Sequence, residues 1–330
     1  MEQEPNKEFT PETQLDLKEL KEAHDAIKLE LGKVLIGQNQ SLDLLMTAFF
    51  AGGHVLVEGV PGIAKTLMSK LLAKSLSIGF SRIQFTPDLM PSDVIGTSVF
   101  KQKIEDFEFH RGPVFSNYVL IDEINRAPAK TQAALFEAME ERQVTVDGET
   151  HILEEPFMVM ATQNPVEQEG TYKLPEAQLD RFFFKIEMAY PSLDEEVKLL
   201  ESTHERKNEE PLKYVNSVLD ADRIKKLQQQ VLQLRIEPNL LRYIAEIVHK
   251  SRSHPSLYMG ASPRASLTIL NASKAKAALN GRDFVTPDDI KEVIIPAMRH
   301  RVILSPEREM EGIRPDEVIA QIIQSVEVPR

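Results

Sequence analysis

The spacing of apolar residues changes twice along this chain. From Leu15 the positions Leu17, Leu20, Ile27 and Leu31 recur at helical intervals until Gly32 and Gly37 break the pattern. This predicts a first helix there and a second over about 38–50. Past Gly53 the texture becomes short continuous apolar runs separated by helical stretches. The runs are "HVLVE" (54–58), "RIQF" (82–85), "YVLID" (118–122), "FMVMA" (157–161) and "RFFFKIE" (181–187). Parallel strands covered by helices on both faces read this way, since neither face meets water. Five such runs predict an α/β fold with a doubly wound parallel sheet.

Two stretches interrupt that scheme. Residues 94–115 are β-rich, with alternation at Phe107 and Phe109, and residues 143–153 carry Asp147-Gly148, a strong hairpin signal. Both read as hairpins inserted between core strands. After "YPSLDEE" the pattern turns helical for the rest of the chain. Ser192 with Glu195 forms a capping box, and Ser262-Pro263 and Thr286-Pro287 place a cap before a proline at the first helical position. The expected organisation is a disordered polar tail over 1–12, an α/β core over 13–192 and an all-helical domain over 193–330.

Composition narrows the chemistry. The chain of 330 residues is 42% hydrophobic and 27% charged, an ordinary globular balance with room for two domains. It has no cysteine, so disulfides, thiolate metal sites and a cysteine nucleophile are excluded, and its eight histidines show no metal-ligand spacing. A formal net charge of -12 argues against non-specific nucleic-acid binding as the main activity. The first twenty residues have no apolar core, and the longest apolar stretch, "LLMTAFFAGGHVLV", is broken by Gly52, Gly53 and His54. A cytoplasmic protein without membrane insertion is expected.

Candidate chemistry starts at "EGVPGIAKTLM" (58–68). Between a predicted strand and a predicted helix it nearly matches the phosphate-loop pattern G-x-x-x-x-G-K-[ST], with Ala64 where the second glycine belongs. Such a loop curls backbone N–H groups around phosphate oxygens at a helix N-terminus. Lys65 would reach the β- and γ-phosphates and the Thr66 hydroxyl would ligate Mg²⁺. Gly59 and Gly62 supply a permissive backbone, Pro61 stiffens the loop, and Ala64 is tolerated if its φ stays negative. By itself the stretch also fits a plain glycine-rich strand-to-helix turn.

Further residues strengthen the nucleotide reading. Asp122 ends an apolar strand where it can hold a Mg²⁺ shell, and Glu123 beside it can polarise an attacking water. Asn164 follows another buried strand, where an amide can meet a γ-phosphate or the water, although Asn-Pro is also a common turn pair. Arg181 stands at the mouth of the last strand. Arg264 opens a helix where its charge opposes the dipole, so an anion nearby would explain it. Either arginine alone reads better as a surface ion pair.

Taken together, the chain resembles the MoxR family of AAA+ ATPases from about Val34 to Arg301. The resemblance rests on "GVPGIAKT", "RIQFTPDLMPSDVIGT", "HRGPVF", "VLIDEINRAPAKTQAALFEAMEE", "ATQNPVEQEGTYKLPEAQLDRF" and "GASPRASL". It extends to Ala64, since the family loop commonly reads G-x-P-G-x-A-K-T. It implies an AAA+ P-loop NTPase core with a five-stranded parallel sheet, followed by an all-helical lid, acting on ATP with Mg²⁺. Gly59, Val60, Pro61, Gly62, Ile63, Ala64, Lys65, Thr66 and Leu67 correspond to the Walker A segment, and Asp122 and Glu123 to Walker B with Glu123 as base. Asn164 corresponds to sensor 1, Arg181 to an arginine finger acting on the neighbouring subunit, and Arg264 to sensor 2, in cis or in trans. Ile36, Gly37 and Gln38 correspond to the segment packed near the adenine. The hairpins match inserts shared with magnesium chelatase subunits and minichromosome-maintenance helicases. A ring, usually a hexamer, and a von Willebrand factor A domain partner are implied as well, with remodelling of a client protein as the activity. The rival reading is a nucleic-acid-stimulated motor. The acidic residues Asp147, Glu149, Glu154 and Glu155 around the second hairpin count against it.

Overall fold

The computed structural model describes residues 16–103, 105–164, 172, 174–207 and 209–329. The tail expected over 1–12 lies outside the described residues. Helices α1 (Lys18–Gly32) and α2 (Asn39–Phe50) precede the α/β part. Its elements are β1 (Val55–Glu58), α3 (Lys65–Ser75), β2 (Phe80–Gln84), α4 (Pro91–Ile95), β3 (Gly96–Lys101), β4 (Asp106–Arg111), β5 (Tyr118–Asp122), α5 (Ala129–Glu141), β6 (Gln143–Val146), β7 (Glu149–Ile152), β8 (Met158–Gln163), α6 (Glu176–Leu179) and β9 (Phe184–Glu187). Strands β2, β5, β8, β1 and β9 lie side by side in that order and all pair in parallel.

The register explains why the apolar runs are continuous. Val55, Leu56 and Val57 pair with Met160, Ala161 and Thr162 on one side and with Phe184, Lys185 and Ile186 on the other. Helices cover both faces, so Val55, Leu56 and Val57 are all fully buried. Each contributes about 1.5–3 kcal/mol relative to an exposed side chain. The last strand starts later than the run "RFFFKIE" suggests. Asp180 to Phe183 form a turn in which Phe182 and Phe183 are buried by packing, and the ladder opens with Phe183 N–H donating to the His54 carbonyl at 2.7 Å.

Both expected insertions are hairpins, β3–β4 and β6–β7. They touch through Phe109 and His151, whose rings stack at 4.1 Å and 15°. The first hairpin exposes Val99, Phe100 and Phe107.

The remaining elements are α7 (Leu193–Glu205), α8 (Ala221–Leu232), α9 (Pro238–Ser251), β10 (Leu257–Met259), α10 (Pro263–Leu279), α11 (Pro287–Met298), β11 (Ile303–Leu304), α12 (Pro306–Met310) and α13 (Pro315–Ser325). The caps at Ser192, Ser262 and Thr286 all accept the backbone N–H bonds their sequence signals called for. The segment is not purely helical, however: β10 and β11 pair antiparallel where the α9–α10 and α11–α12 connections meet. One hydrophobic core also runs through α1, α2, α8 to α11, α13 and the sheet face beneath them. The N-terminal helices therefore seat the lid directly on the α/β part.

Candidate nucleotide site

Four chain segments converge at the C-terminal edge of the sheet. The first is the loop between β1 and α3. Gly59 is buried, and a Cβ there would lie 2.4 Å from the end of the Ile63 side chain and 3.1 Å from the Met188 carbonyl, so close packing favours glycine here. Gly62 is required by conformation, with φ +86°. Ala64 departs from the sequence expectation of negative φ. It caps α3 in the left-handed region, at φ 66° and ψ 21°. The glycine usual at this place serves that backbone turn, and alanine makes the same turn at a cost of about 1–2 kcal/mol. Strain of this kind collects at sites whose surroundings over-determine the geometry.

Lys65 opens α3 and donates from Nζ to the Gly59 carbonyl at 2.6 Å, folding back over its own loop. Burial lowers its pKa, and the charges of Asp122, Glu123 and Glu58 oppose that shift. The ammonium is thus partly desolvated, and the three carboxylates help to keep it charged. Thr66 follows on the first turn, partly exposed.

Asp122 and Glu123 end β5, the second segment. Asp122 is 8% exposed; its Oδ1 accepts from Thr162 Oγ1 at 3.3 Å and its Oδ2 pairs with Arg82 Nε at 2.6 Å. Glu123 also has left-handed backbone, at φ 58° and ψ 54°, and its N–H donates to Thr162 Oγ1 at 3.1 Å. That kink turns its carboxylate away from Asp122, to accept from Gln84 Nε2 at 3.0 Å and pair with Arg126 at 3.1 Å. Arg82, Gln84 and Arg126 were not singled out from the sequence. The signal for two of them was there: Arg82 and Gln84 alternate about the buried Ile83 on an edge strand, where both neighbours of the apolar residue share a face.

Asn164, the third, sits 8% exposed just past β8. Since β8 lies between β5 and β1, this places it between the Asp122–Glu123 pair and the Gly59 loop. The fourth segment is Ile36–Gln38. Gly37 has φ +77°, and buried Gln38 donates to the Ala189 carbonyl at 3.2 Å. Ile36 and Gln38 line a cavity of about 260 Å³ together with Pro61, Ala64, Leu67 and Tyr190. It is mainly apolar, suits a base and ribose, and opens beside the phosphate loop.

Arg181 and Arg264 are elsewhere. Arg181 lies in the turn feeding β9, next to His54 at the N-terminal end of β1, so the length of a four-residue strand, roughly 13 Å, separates it from the loop. Arg264, on the first turn of α10, meets it there. Both guanidiniums pair with one carboxylate: Arg181 Nε with Glu140 Oε2 at 2.5 Å, and Arg264 with Glu140 Oε1. The anion beside Arg264 is Glu140. Around them Gly52, Arg142, Asp180 and Arg301 line a recess of about 280 Å³. Four arginines and two carboxylates leave that recess with a surplus of positive charge.

The oxygen donors at the loop fit a magnesium ion. Thr66 and Asp122 are hard ligands, and Mg²⁺ is ordinarily held by one or two side chains plus substrate phosphates. Among the described residues no cluster of three His, Asp or Glu forms a separate metal site, and no helix is long and apolar enough to cross a membrane.

Comparison with known proteins agrees with this geometry. The sequence model of the ATPase family associated with various cellular activities (AAA) matches residues 54–184, and that of the AAA lid domain matches 249–322. The chain is 48% identical to protein YeaC of Bacillus subtilis, across 91% of this chain and 92% of that one. It is 42% identical to the chaperone MoxR1 of Mycobacterium tuberculosis, across 91% and 81%. The crystal structure of a candidate ATPase from Cytophaga hutchinsonii superposes with a TM-score of 0.86 at 41% identity, covering 95% of this chain and 98% of that one. With a five-stranded parallel core sheet, a left-handed phosphate loop and this degree of likeness to a MoxR chaperone, the chain belongs to the MoxR family of AAA+ ATPases.

Proposed function

We propose that this protein hydrolyses ATP with Mg²⁺ in a ring of like subunits and uses the cycle to remodel a partner protein. The observation that carries the reading is the division of the catalytic set between two ends of one sheet. The loop, Asp122, Glu123 and Asn164 gather at one end, and Arg181 with Arg264 at the other. Neither arginine reaches its own chain's loop, so both act on the nucleotide of the adjacent subunit. This extends the trans role expected for Arg181 to Arg264.

The roles follow from chemistry. Backbone N–H groups at the start of α3 and the Lys65 ammonium bind the triphosphate. Thr66 and Asp122 would hold the magnesium ion, which when bound neutralises charge on the β- and γ-oxygens. Glu123 takes a proton from the attacking water, and Asn164 orients it. Arginines brought to the transferring phosphoryl group are worth about 10³–10⁵ in rate, so an isolated subunit is a poor catalyst.

A protein client suits the hairpins better than a nucleic acid does. Phe100 and Phe107 are 51% and 66% exposed on the first, while Asp147 lies in the turn of the second and Glu149 directly follows it. The ring size and a von Willebrand factor A domain partner are carried over from the family resemblance, and a cytoplasmic setting from the sequence expectation. The test is a pair of variants. Lys65→Ala abolishes nucleotide binding, whereas Glu123→Gln binds ATP and stops turnover. Wild-type hydrolysis by Glu123→Gln would remove Glu123 as the base.

A further inference from the structure

Glu140 sits in the last turn of α5, and α5 is fixed at both ends. At its start Gln132 Nε2 donates to the carbonyls of Ile124 and Ala127 in the turn that follows Glu123. At its end His54 Nε2 bonds the Met139 carbonyl, and Arg142 bonds the carbonyls of Gly52 and Phe157. Glu140 lies between these two anchored residues, so its carboxylate has a defined place. Each of its oxygens takes one guanidinium, from Arg181 in the turn before β9 and from Arg264 in the lid. A second layer fixes the same junction. Asp180 accepts from Ser262 Oγ at 2.8 Å and from Arg301 Nε at 2.7 Å, joining the cap of α10 to the turn that carries Arg181.

Two guanidiniums this close repel each other, and a carboxylate between them offsets that repulsion. It also brings one N–H of each to the two oxygens of a single carbon, much as two oxygens on one phosphorus would. Each guanidinium has five N–H donors in a fixed fork and gives only part of them to Glu140. Arg181 and Arg264 remain about one third and one half exposed, so donors are left for a second anion.

We propose that Glu140 is a positioning residue, holding Arg181 and Arg264 as a spaced pair that receives the phosphate of a neighbouring subunit's nucleotide. The proposal rests on the trans reading of these arginines given above. The pairing also lowers the pKa of Glu140, the bond from Arg181 being the largest cause, so the carboxylate stays charged through the neutral range.

The experiment is steady-state ATPase kinetics on the full chain carrying Glu140→Ala or Glu140→Gln, alone and in equimolar mixture with Lys65→Ala. Arg181→Ala treated the same way is the control. For Glu140→Ala, kcat is expected to fall at least tenfold, with KM for ATP and affinity for a non-hydrolysable analogue within twofold of wild type. The chain's own loop is untouched at the far end of the sheet. Glu140→Gln, equal in volume and still able to accept one bond, falls between the two. Mixing with Lys65→Ala restores turnover, since that subunit binds no ATP but presents ordered arginines to its neighbour. Wild-type kcat in Glu140→Ala, or a loss that Lys65→Ala does not rescue although it rescues Arg181→Ala, overturns the role of Glu140 and leaves the trans reading standing. No rescue of Arg181→Ala overturns both.

Discussion

Arg82 Nε lies 2.6 Å from Oδ2 of Asp122, so the carboxylate proposed to hold magnesium is shared with a guanidinium from the neighbouring strand. The Arg82 side chain is half exposed, and a pair of that kind is worth about 0.2–1 kcal/mol. Arg82 and a metal ion draw on the same charge. Removing the arginine as Arg82→Ala is expected to lower the Mg²⁺ concentration for half-maximal ATPase by up to about fivefold, the equivalent of 1 kcal/mol. A magnesium titration at saturating ATP measures it, and an unchanged or raised requirement refutes the competition.

Ala64 carries a left-handed backbone that glycine would adopt without strain. Relief of about 1–2 kcal/mol is partly offset by the larger entropy of glycine in the unfolded chain, about 0.4–1 kcal/mol. Ala64→Gly should therefore raise the unfolding free energy by about 1 kcal/mol while keeping nucleotide affinity. Ala64→Val, β-branched in the same region, should lower both. Urea denaturation and nucleotide titration decide it; a less stable glycine variant would mean that the alanine methyl contributes packing that outweighs its strain.

What could be read in advance follows a physical division. The core strands were legible because burial on both faces makes runs such as "VLI" in "YVLID" continuously apolar, and the caps at Ser192, Ser262 and Thr286 because their bonds are local. The φ of Ala64 was not, since the letter alone suggests the commoner negative value and the loop around it dictates the other. Nor was Glu140, which reads as one more solvated acid in "EAMEER" until the turn before β9 and the lid bring Arg181 and Arg264 to it from either side. The same holds for the docking of Arg264 beside Glu140. Its helix start was plain from Ser262-Pro263, but where that start docks depends on Asp180 and on Arg301, which is 5% exposed.

The lid has a weak point of its own at Asp289. It is 2% exposed, accepts two bonds from Arg282 at 2.5 and 2.6 Å, and closes the capping box of α11 through the N–H and hydroxyl of Thr286. Those bonds and the Arg282 charge hold its pKa below the usual carboxylate range against the opposing effect of burial. Asp289→Ala removes the carboxylate half of the capping box and leaves a guanidinium mostly buried without its counter-ion. The expected loss is about 2–4 kcal/mol, less than for a fully buried pair because Arg282 keeps a third of its exposure. Thr286→Ala, which removes only the cap hydroxyl, should cost about 1 kcal/mol. Chemical denaturation of both variants tests the ranking, and equal losses would assign the stabilisation to the cap alone.

Stability should also fall on mild acidification, because of His54 and His300. Burial, aided by the charge of Arg142, holds the His54 pKa at about 3, and its ring is fixed by the Met139 carbonyl at Nε2 and the Val159 N–H at Nδ1. Burial likewise drives His300 well below the ordinary value of 6.5, with Arg301 acting in the same sense. In the unfolded chain both rings titrate near 6.5. Below that pH the unfolded state binds protons that the folded state refuses, so stability present at pH 7 and above is lost as pH falls. Each histidine contributes a slope of about 1.4 kcal/mol per pH unit, well below pH 6.5 and above its folded pKa. Carboxylates with lowered pKa add their losses only nearer pH 4. Denaturation midpoints measured from pH 7.5 to 5 should therefore decline steadily, and His54→Gln, which removes one titrating group, should decline less steeply. A midpoint constant across that window would mean that these rings take up protons in the folded chain as readily as in the unfolded one.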